Sequence, residues 1–358
     1  LGVGVCTAIA YYGDGSGLSG AGSSAYIAQE ITTTTAETII DLTYGNVIYY
    51  KGVDTTVGFA STSPAEQLTF IRDTSPTFDV AYNVSYGTGG VEFDGNGDYL
   101  SLASSSDFDF GTDDFTIELW AEPDGYSGSP YFFDFRADGS DTGTTNRVVW
   151  YIPSGSGKPT FWANGSARIA ADSAITLDAF THLALVRSSG TTTMYINGVA
   201  QSTTYSDSID YGSGGSPLII GQRQGSYASQ SFDGVLSQVR INKGTAVYTS
   251  NFLPPSAALT NISGTVLLCC QDSSSTTVGA VKPGTITANG DPSAASITVS
   301  KSGTNTLSNG TITWPDRVKW NNDTTPTLVS NVRESAFQIF HLTTVDTGLN
   351  YNAWEEMK

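Results

Sequence analysis

The stretch 94–98 carries oxygen-bearing side chains at alternate positions. Asp94, Asn96 and Asp98 are separated by glycines, so their oxygens could converge on a hard cation such as Ca²⁺. The stretch lacks the full ligand loop of a helix-loop-helix calcium site, and the same residue types are what a tight turn requires. We therefore predict a turn here, with Ca²⁺ binding as the alternative and no other cofactor. A second acidic candidate comprises Asp107, Asp109, Asp113 and Asp114.

Two carboxylates on one predicted strand, Glu118 and Glu122, are the residues best suited to glycoside hydrolysis. Four residues along a regular strand separate side chains by about 13 Å. The carboxylates of a retaining glycosidase lie about 5–5.5 Å apart, and those of an inverting one below about 10 Å. Both glutamates are therefore predicted to occupy a solvated or rim-facing strand face. The two histidines, His182 and His341, are predicted to be structural, and the chain is predicted not to be an enzyme.

Aromatic side chains in the middle of the chain could bind a ligand by stacking on sugar rings. Core or sheet-face packing is the alternative for each of them. The candidates are Trp150, Tyr151, Trp162 and Tyr227.

The composition restricts the classes of partner. The 358 residues include 16 basic and 34 acidic side chains, which gives a net charge of −18. Such a field repels phosphate backbones and anionic lipid surfaces, so neither nucleic acid nor a membrane surface is an expected partner. The sequence also holds no run of about 18 apolar residues of the kind that spans a membrane.

Period-two alternation of apolar residues dominates residues 91–270 and predicts β-strands. In 115–122, one face carries Phe, Ile, Leu and Ala, and the other carries Thr, Glu, Trp and Glu. In 235–241, Val235, Ser237, Val239 and Ile241 are predicted to share a face. Glycine-rich turns separate the runs, and Asn197-Gly198 is the clearest hairpin signal. This pattern predicts an all-β chain built around a two-sheet sandwich or jelly roll.

The three cysteines, Cys6, Cys269 and Cys270, are too few for a disulfide framework and match no zinc motif. Neighbours on a strand point to opposite faces, so Cys269 and Cys270 are predicted to be one buried thiol and one on the other face. A bonded pair is the less favoured alternative.

The two ends of the chain resemble each other. Residues 46–51 (NVIYYK) and 65–71 (AEQLTFI) correspond to 317–321 (RVKWN) and 336–341 (AFQIFH). Two copies of one small module are the simplest interpretation, and chance similarity of Thr-rich strands is the alternative. The predicted domains are a small β-rich module at 1–76, a jelly-roll domain at 77–298 and a second small β-rich module at 299–358.

Five segments in the middle of the chain together resemble the laminin-G-like, concanavalin A-like jelly roll. They are 91–100 (VEFDGNGDYL), 115–121 (FTIELWA), 180–187 (FTHLALVR), 194–199 (MYINGV) and 232–241 (FDGVLSQVRI). The resemblance implies a laminin-G-like β-sandwich flanked by small β-rich modules. Such domains often bind calcium and carbohydrate at one rim, although no ligand position is matched here.

The particular version is similar to that of tail-fibre and other structural proteins of tailed phages, marine phages especially. The segments that carry this likeness are 243–255 (KGTAVYTSNFLPP), 264–271 (GTVLLCCQ), 311–320 (TITWPDRVKW) and 354–358 (WEEMK). The resemblance implies a virion appendage protein, exposed on an extracellular particle, whose jelly roll contacts host-surface glycans. Its expected partners are other virion proteins or copies of itself. The alternative is a secreted or cell-surface carbohydrate-binding module, with Ca²⁺ as a possible aid.

Overall fold

The computed structural model describes residues 77–136, 147–212, 216–225 and 227–308, together with the strands of both terminal segments. Two compact units result. One comprises Ala81–Asn305, and the other combines Leu1–Val80 with Thr306–Lys358. Within the described part of the chain, no helix has the length and apolar composition needed to cross a membrane.

The described elements are almost all strands, which confirms the predicted all-β class. Those of the first half of the chain are β1 Ala28–Thr33, β2 Glu37–Ile40, β3 Val47–Gly52, β4 Thr55–Phe59, β5 Gln67–Asp73, β6 Thr77–Asp94, β7 Tyr99–Ser105, β8 Phe115–Pro123, β9 Tyr131–Asp134, β10 Val149–Tyr151, β11 Thr160–Ala163 and β12 Ser166–Ala170. Those of the second half are β13 Thr181–Ser188, β14 Thr191–Ile196, β15 Val199–Ser206, β16 Ser216–Ile220, β17 Asp233–Lys243, β18 Thr265–Cys269, β19 Gly279–Val281, β20 Ile286–Asn289, β21 Ser293–Ser308, β22 Ile312–Thr313, β23 Val318–Trp320, β24 Phe337–Thr344 and β25 Tyr351–Met357. Two short 3-10 turns, Ser106–Phe108 and Ala228–Gln230, complete the set.

The central unit, Ala81–Asn305, is a sandwich of two sheets. The seven-stranded sheet has the order β12-β11-β10-β9-β16-β7-β20. The nine-stranded sheet has the order β15-β14-β13-β8-β17-β18-β19, and β6 and β21 join it through the pairing of β6 with β17. Strand pairing in both sheets is antiparallel, as in β13 with β14 and with β8, β17 with β18, and β20 with β7, and short turns between successive strands allow it.

Two hairpin turns show how the local sequence sets the register. Asn197 and Gly198 both have positive φ, 49° and 79°, and join β14 to β15 as predicted. Ser189 and Gly190 do the same between β13 and β14, with φ of 48° and 76°. Positive φ at both central residues is the turn geometry that matches the twist of paired strands.

A single apolar cluster fills the space between the two sheets. On β8, alternate residues Phe115, Ile117 and Leu119 enter it and are wholly buried. Trp150 and Phe161 enter from the seven-stranded sheet. Burying each such side chain contributes about 1.5–3 kcal/mol, so this cluster provides the main stabilisation of the central unit.

The outer face of the nine-stranded sheet is also covered. Trp120 on β8 packs with Val84 and Val299 of strands β6 and β21. Tyr195 on β14 packs with Tyr248 and Phe252, whose rings stack at 3.6 Å. Side chains on this face of β8 are therefore removed from solvent.

The predicted alternation along β17 is wrong in its first half. Leu236, Val239 and Ile241 face the core between the sheets, whereas Val235 packs on the outer face. The register between β17 and β8 shifts between Ser237 and Arg240, and Gln238 has a φ of 54°. This β-bulge inserts one extra residue and exchanges the two faces.

Two neighbouring cysteines, at and just after the end of β18, both lie in the core. Cys269 and Cys270 are buried in the cluster between the sheets, so the prediction that they occupy opposite faces is wrong. Cys270 has a φ of 56°, which breaks the extended conformation from which the prediction was made.

The terminal segments form one unit rather than the two separate modules that the sequence suggests. Their strands share a six-stranded sheet of order β1-β3-β5-β24-β25-β23. The similar segments 65–71 and 336–341 meet at its centre, where β5 pairs with β24 and Phe70 lies opposite Phe340. Pairing these two segments in one sheet leaves fewer open strand edges than two separate small sheets would, and their origin as two copies of one module stays a prediction. The side chain of His341 lies outside the described residues.

Candidate functional site

A hollow of about 180 Å³ opens on the outer face of the seven-stranded sheet. It combines aromatic, guanidinium, amide and hydroxyl groups on adjacent strands and loops. The residues around it are Ser129, Tyr131, Arg136, Val149, Tyr151, Trp162, Arg223 and Gln230.

Strand alternation decides which aromatic rings reach this hollow. Trp150 and Phe161 enter the core, so Tyr151 and Trp162, their neighbours along the chain, are directed to the outer face. The pairing of β10 with β9 sets Tyr151 opposite Tyr131. The local period of two thus assembles an aromatic surface from three strands.

The rings form a continuous surface with one guanidinium. Tyr131 and Tyr151 stack with centroids 5.1 Å apart and planes inclined by 26°. The guanidinium of Arg136 lies 5.9 Å from the centroid of Tyr131 and 5.6 Å from that of Trp162. Cation–π attraction at these distances holds the rings and the charge together.

The position of Arg136 is fixed by a buried ion pair. Its Nε donates to Asp134 Oδ1 at 2.9 Å and its Nη2 donates to Oδ2 at 2.7 Å. The backbone N–H of Gln224 donates to the same carboxylate at 3.0 Å, which ties the loop after β16 to β9. A bidentate pair of this kind is rigid, so the floor of the hollow is preorganised.

Polar groups at the edge of the hollow can exchange hydrogen bonds with a ligand. Burial raises the pKa of Tyr131, so its hydroxyl remains a neutral donor near physiological pH even though Arg136 and Arg223 oppose the shift. Arg223 donates to Gln230 Oε1 at 3.3 Å, and its guanidinium lies 4.2 Å from the ring centroid of Tyr227.

A second hollow of about 390 Å³ lies beside the first and shares Arg223 with it. Its other residues come from β7, β16 and the loop after β16: Tyr99, Ser101, Ile219, Gln222, Gln224 and Gly225. The two hollows therefore form one surface that crosses neighbouring strands of the sheet.

The four aromatic residues predicted to bind a ligand have different positions. Tyr151 and Trp162 line the first hollow, and Tyr227 is 39% exposed and packs on Arg223 at its edge. Trp150 is wholly buried in the core, so the structure excludes it as a contact residue.

Sequence reasoning missed several residues of this site. Tyr131 could have been found, since it begins the apolar run of β9 on the outward side. Arg136, Arg223 and Gln230 had no such signal, because they lie outside the strands, in two loops and in the 3-10 turn Ala228–Gln230.

A carboxylate cluster lies where β6 turns into β7. Asp94, Asp98 and Asp291 offer oxygens that lie within 4.8 Å of one another. Asn96, the third predicted ligand, is exposed at the tip of the turn, where its backbone N–H donates to Asp94 Oδ1 at 2.7 Å. Asp291 was missed because it follows β20, almost 200 residues away along the chain.

The cluster has the donor chemistry that Ca²⁺ prefers. Burial raises the pKa of Asp98, backbone N–H donors from Asp291 and Asp94 oppose the shift, and the carboxylates of Asp94 and Asp291 add to it. Burial and the neighbouring Asp94 also raise the pKa of Asp233. A bound cation would relieve the repulsion among these carboxylates. Asp94, Asp98 and Asp291 are therefore suited to coordinate Ca²⁺, whose binding stays a prediction. Among the described residues, the second acidic candidate (Asp107, Asp109, Asp113, Asp114) forms no group of this kind.

Comparison with known families identifies the central unit. Residues 94–246 match the family model described as the concanavalin A-like lectin/glucanases superfamily, of laminin-G type. The two-sheet sandwich of the central unit agrees with the laminin-G-like jelly-roll fold of this superfamily. The resemblance inferred from the sequence is thereby confirmed for this part of the chain, whereas the likeness to phage proteins stays a prediction.

Solved structures of low sequence identity resemble the jelly roll in fold. A heptameric pentraxin from Limulus polyphemus is 19% identical, with 43% of this chain and 75% of that chain covered and a TM-score of 0.33. The carbohydrate-binding module of the Ruminococcus gnavus IT-sialidase, bound to α2,3-sialyllactose, is 11% identical, with 46% and 94% covered and a TM-score of 0.37. The enzymatically active domain of tailspike protein 2 from bacteriophage CBA120 is 16% identical, with 49% and 29% covered and a TM-score of 0.33. A comparison with curated proteins finds no match.

We expect Ca²⁺ to raise the melting temperature of the jelly roll at neutral pH. A hundredfold excess over Kd should shift it by about 5–10 °C, because the ion binds only the folded cluster. Scanning calorimetry with Ca²⁺ and then with chelator measures the shift. Asp291→Asn should abolish the shift, and Asp272→Asn, a half-buried aspartate outside the cluster, should leave it intact. An identical melting temperature with and without Ca²⁺ would refute the prediction.

The predicted solvated position of Glu118 is wrong. Its side chain is wholly buried on the outer face of β8, beneath the segment that carries Tyr248 and Phe252. Its Oε1 accepts from Arg240 Nη2 at 2.6 Å, and its Oε2 accepts from the Tyr248 hydroxyl at 2.8 Å. His182 Nε2 lies 3.2 Å from the same Oε2.

This network leaves Glu118 no path to a substrate. Glu122, four residues along, is half-buried, and burial together with Asp124 and Asp178 raises its pKa. The two carboxylates therefore have separate surroundings, and the structural role predicted for His182 agrees with its complete burial. That the chain is not an enzyme stays a prediction.

Proposed function

We propose that the jelly roll binds glycans in the aromatic hollow on the outer face of its seven-stranded sheet. The observation that carries this proposal is the surface formed by Tyr131, Tyr151 and Trp162 around the fixed guanidinium of Arg136. The concanavalin A-like fold of the central unit fits a carbohydrate-binding module. The role is binding without chemical conversion.

The groups around the hollow match the two kinds of surface that a sugar ring presents. The C–H face of a sugar ring is apolar and packs on the Trp and Tyr rings that line a binding site. Its hydroxyls exchange hydrogen bonds with guanidinium, amide and hydroxyl groups, here those of Arg223, Gln230 and Ser129. The two adjoining hollows offer room for more than one sugar ring.

A glycan array tests the proposal with the full chain. We expect selective binding to a subset of immobilised glycans and competition by the same glycan in solution. Titration calorimetry on the best binder should then give a single class of sites. Flat arrays at high protein concentration, together with no heat of binding for any glycan tried, would refute glycan binding.

We propose further that the protein is a tail-fibre-like appendage subunit of a phage particle, with the jelly roll exposed to the host surface. The similarity of segments 243–255 and 264–271 to phage structural proteins supports this setting. Its partners would be other virion proteins or copies of the chain itself. The alternative is a secreted or cell-surface carbohydrate-binding module. Mass spectrometry of virions purified from a lysate in which the chain is expressed tests the appendage role. Absence of the polypeptide from these virions would contradict that role.

A further inference from the structure

Two adjacent thiols lie together inside the sandwich. The Sγ atoms of Cys269 and Cys270 are 3.7 Å apart, and neither side chain is more than 1% exposed. Neighbouring residues of a regular strand point to opposite faces, so this approach requires a local departure from strand geometry.

That departure is the left-handed backbone of Cys270, with a φ of 56°. A residue with a β-carbon is strained in this region and persists there only where its surroundings enforce the conformation. Here the bulge of β17 supplies the matching partner, because the N–H of Gln238 donates to the carbonyl of Cys270 at 3.1 Å. Gln238 Oε1 also accepts hydrogen bonds from the backbone N–H of Leu259 and from Gln271 Nε2, and these bonds fix the position of the bulge.

We propose that Cys269 and Cys270 form a vicinal disulfide when the chain meets a small-molecule disulfide such as oxidised glutathione. Two S–H bonds break and one S–S bond forms between the neighbours. The two electrons and two protons reduce the small disulfide to two thiols, so the exchange balances. The pair is thus a modification site that can exist as dithiol or disulfide.

The fold supports this assignment and limits when the exchange occurs. Rotation of the two side chains must shorten the sulfur separation from 3.7 Å to about 2.05 Å. The neighbouring Cys270 thiol and burial both raise the pKa of Cys269, which suppresses the reactive thiolate in the closed sandwich. Exchange therefore takes place before the sheets close or when the sandwich opens at the short edge strand β19, whose Gly279 pairs with Cys269.

The bond should be easier to reduce than an ordinary structural disulfide. The α-carbons of adjacent residues are about 3.8 Å apart, which is shorter than the usual span of about 4.4–6.8 Å between bonded cysteines. Such strain favours reduction. The ring also restricts the backbone of Cys270 in the unfolded chain, so the oxidised protein should melt about 2–4 °C above the reduced protein, a shift typical of a small stabilisation in a domain of this size.

Thiol mapping of the full chain tests the proposal. The protein is unfolded, refolded with a mixture of reduced and oxidised glutathione, alkylated in denaturant and digested with trypsin. The expected peptide, residues 244–301, is two hydrogens lighter than the dithiol form and carries no alkyl group. After treatment with reductant it should carry two. Cys6 lies in a different peptide, residues 1–51, and is scored separately.

Two results would overturn the proposal. One is alkylation of both thiols, or a glutathione adduct on either, in the unreduced sample. The other is a cross-link between peptides 1–51 and 244–301. Cys269→Ser serves as the matched control, because its single remaining thiol must be alkylated or carry glutathione. Since the mapping uses the unchanged chain, a folding defect in the control does not affect the outcome.

Discussion

Glu118→Gln should lower the free energy of unfolding by about 3–5 kcal/mol, the usual cost of removing one partner from a buried ion pair. Arg240 is only 5% exposed, and its Nε and Nη2 both donate to Glu118 Oε1, at 2.8 and 2.6 Å. A neutral amide keeps the shape of the side chain but leaves the guanidinium without a counter-charge. Guanidinium chloride unfolding followed by near-ultraviolet circular dichroism measures the change.

Glu122→Gln is the matched control on the same strand. At neutral pH its charge is repelled by Asp124 and Asp178, so neutralising it should leave stability unchanged or raise it slightly. A Glu118→Gln protein within about 0.5 kcal/mol of the unchanged protein, the range of ordinary surface substitutions, would contradict the prediction.

The same network predicts a pH dependence. Burial alone would raise the pKa of Glu118, but His182, Arg240 and Tyr248 outweigh it and lower the pKa below the ordinary 4.5. A lowered pKa in the folded state contributes stability that is present above pH 4.5 and lost as the pH falls through the lowered value. The stability difference between the unchanged protein and Glu118→Gln should therefore shrink on acidification below pH 4.5.

Trp162→Ala should weaken glycan binding on the order of 30-fold or more, the loss of about 2 kcal/mol that marks an aromatic hot spot. Trp162 supplies the widest ring of the hollow and packs against the Arg136 guanidinium. Its removal takes away stacking area and loosens that guanidinium. Titration calorimetry with the best glycan of the array gives the ratio of dissociation constants.

Two further variants separate the site from general effects. Tyr151→Phe keeps the ring that stacks on Tyr131 and should lose much less affinity than Trp162→Ala. Leu177→Ala removes an exposed apolar side chain outside the hollow and should bind as the unchanged protein does. Equal affinity of Trp162→Ala and the unchanged protein, with the melting temperature preserved, would place the glycan elsewhere on the jelly roll.

The strands and turns of the jelly roll follow from the sequence by itself. Alternating apolar residues in β8, and glycine after a residue that tolerates positive φ in Asn197-Gly198, are local signals with local physical causes. The family resemblance of residues 94–246 could be identified for the same reason, since it depends on the order of those strands. Two members of the site, Tyr151 and Trp162, were among the aromatic residues predicted to stack on sugars, but the sequence did not separate them from Trp150, which is buried in the core.

Only the tertiary structure decided which strand faces are covered and which distant residues meet. Glu118 is buried because the segment around Tyr248 closes over the outer face of its sheet, and alternation along one strand cannot reveal that cover. Asp291 joins Asp94 and Asp98 through a turn far along the chain. The left-handed backbone of Cys270, whose carbonyl accepts from Gln238 in the bulge of β17, brings Cys269 and Cys270 to one side. Each of these features depends on pairing between segments distant in sequence, and the energy of such pairing is set by the partner rather than by the local residues.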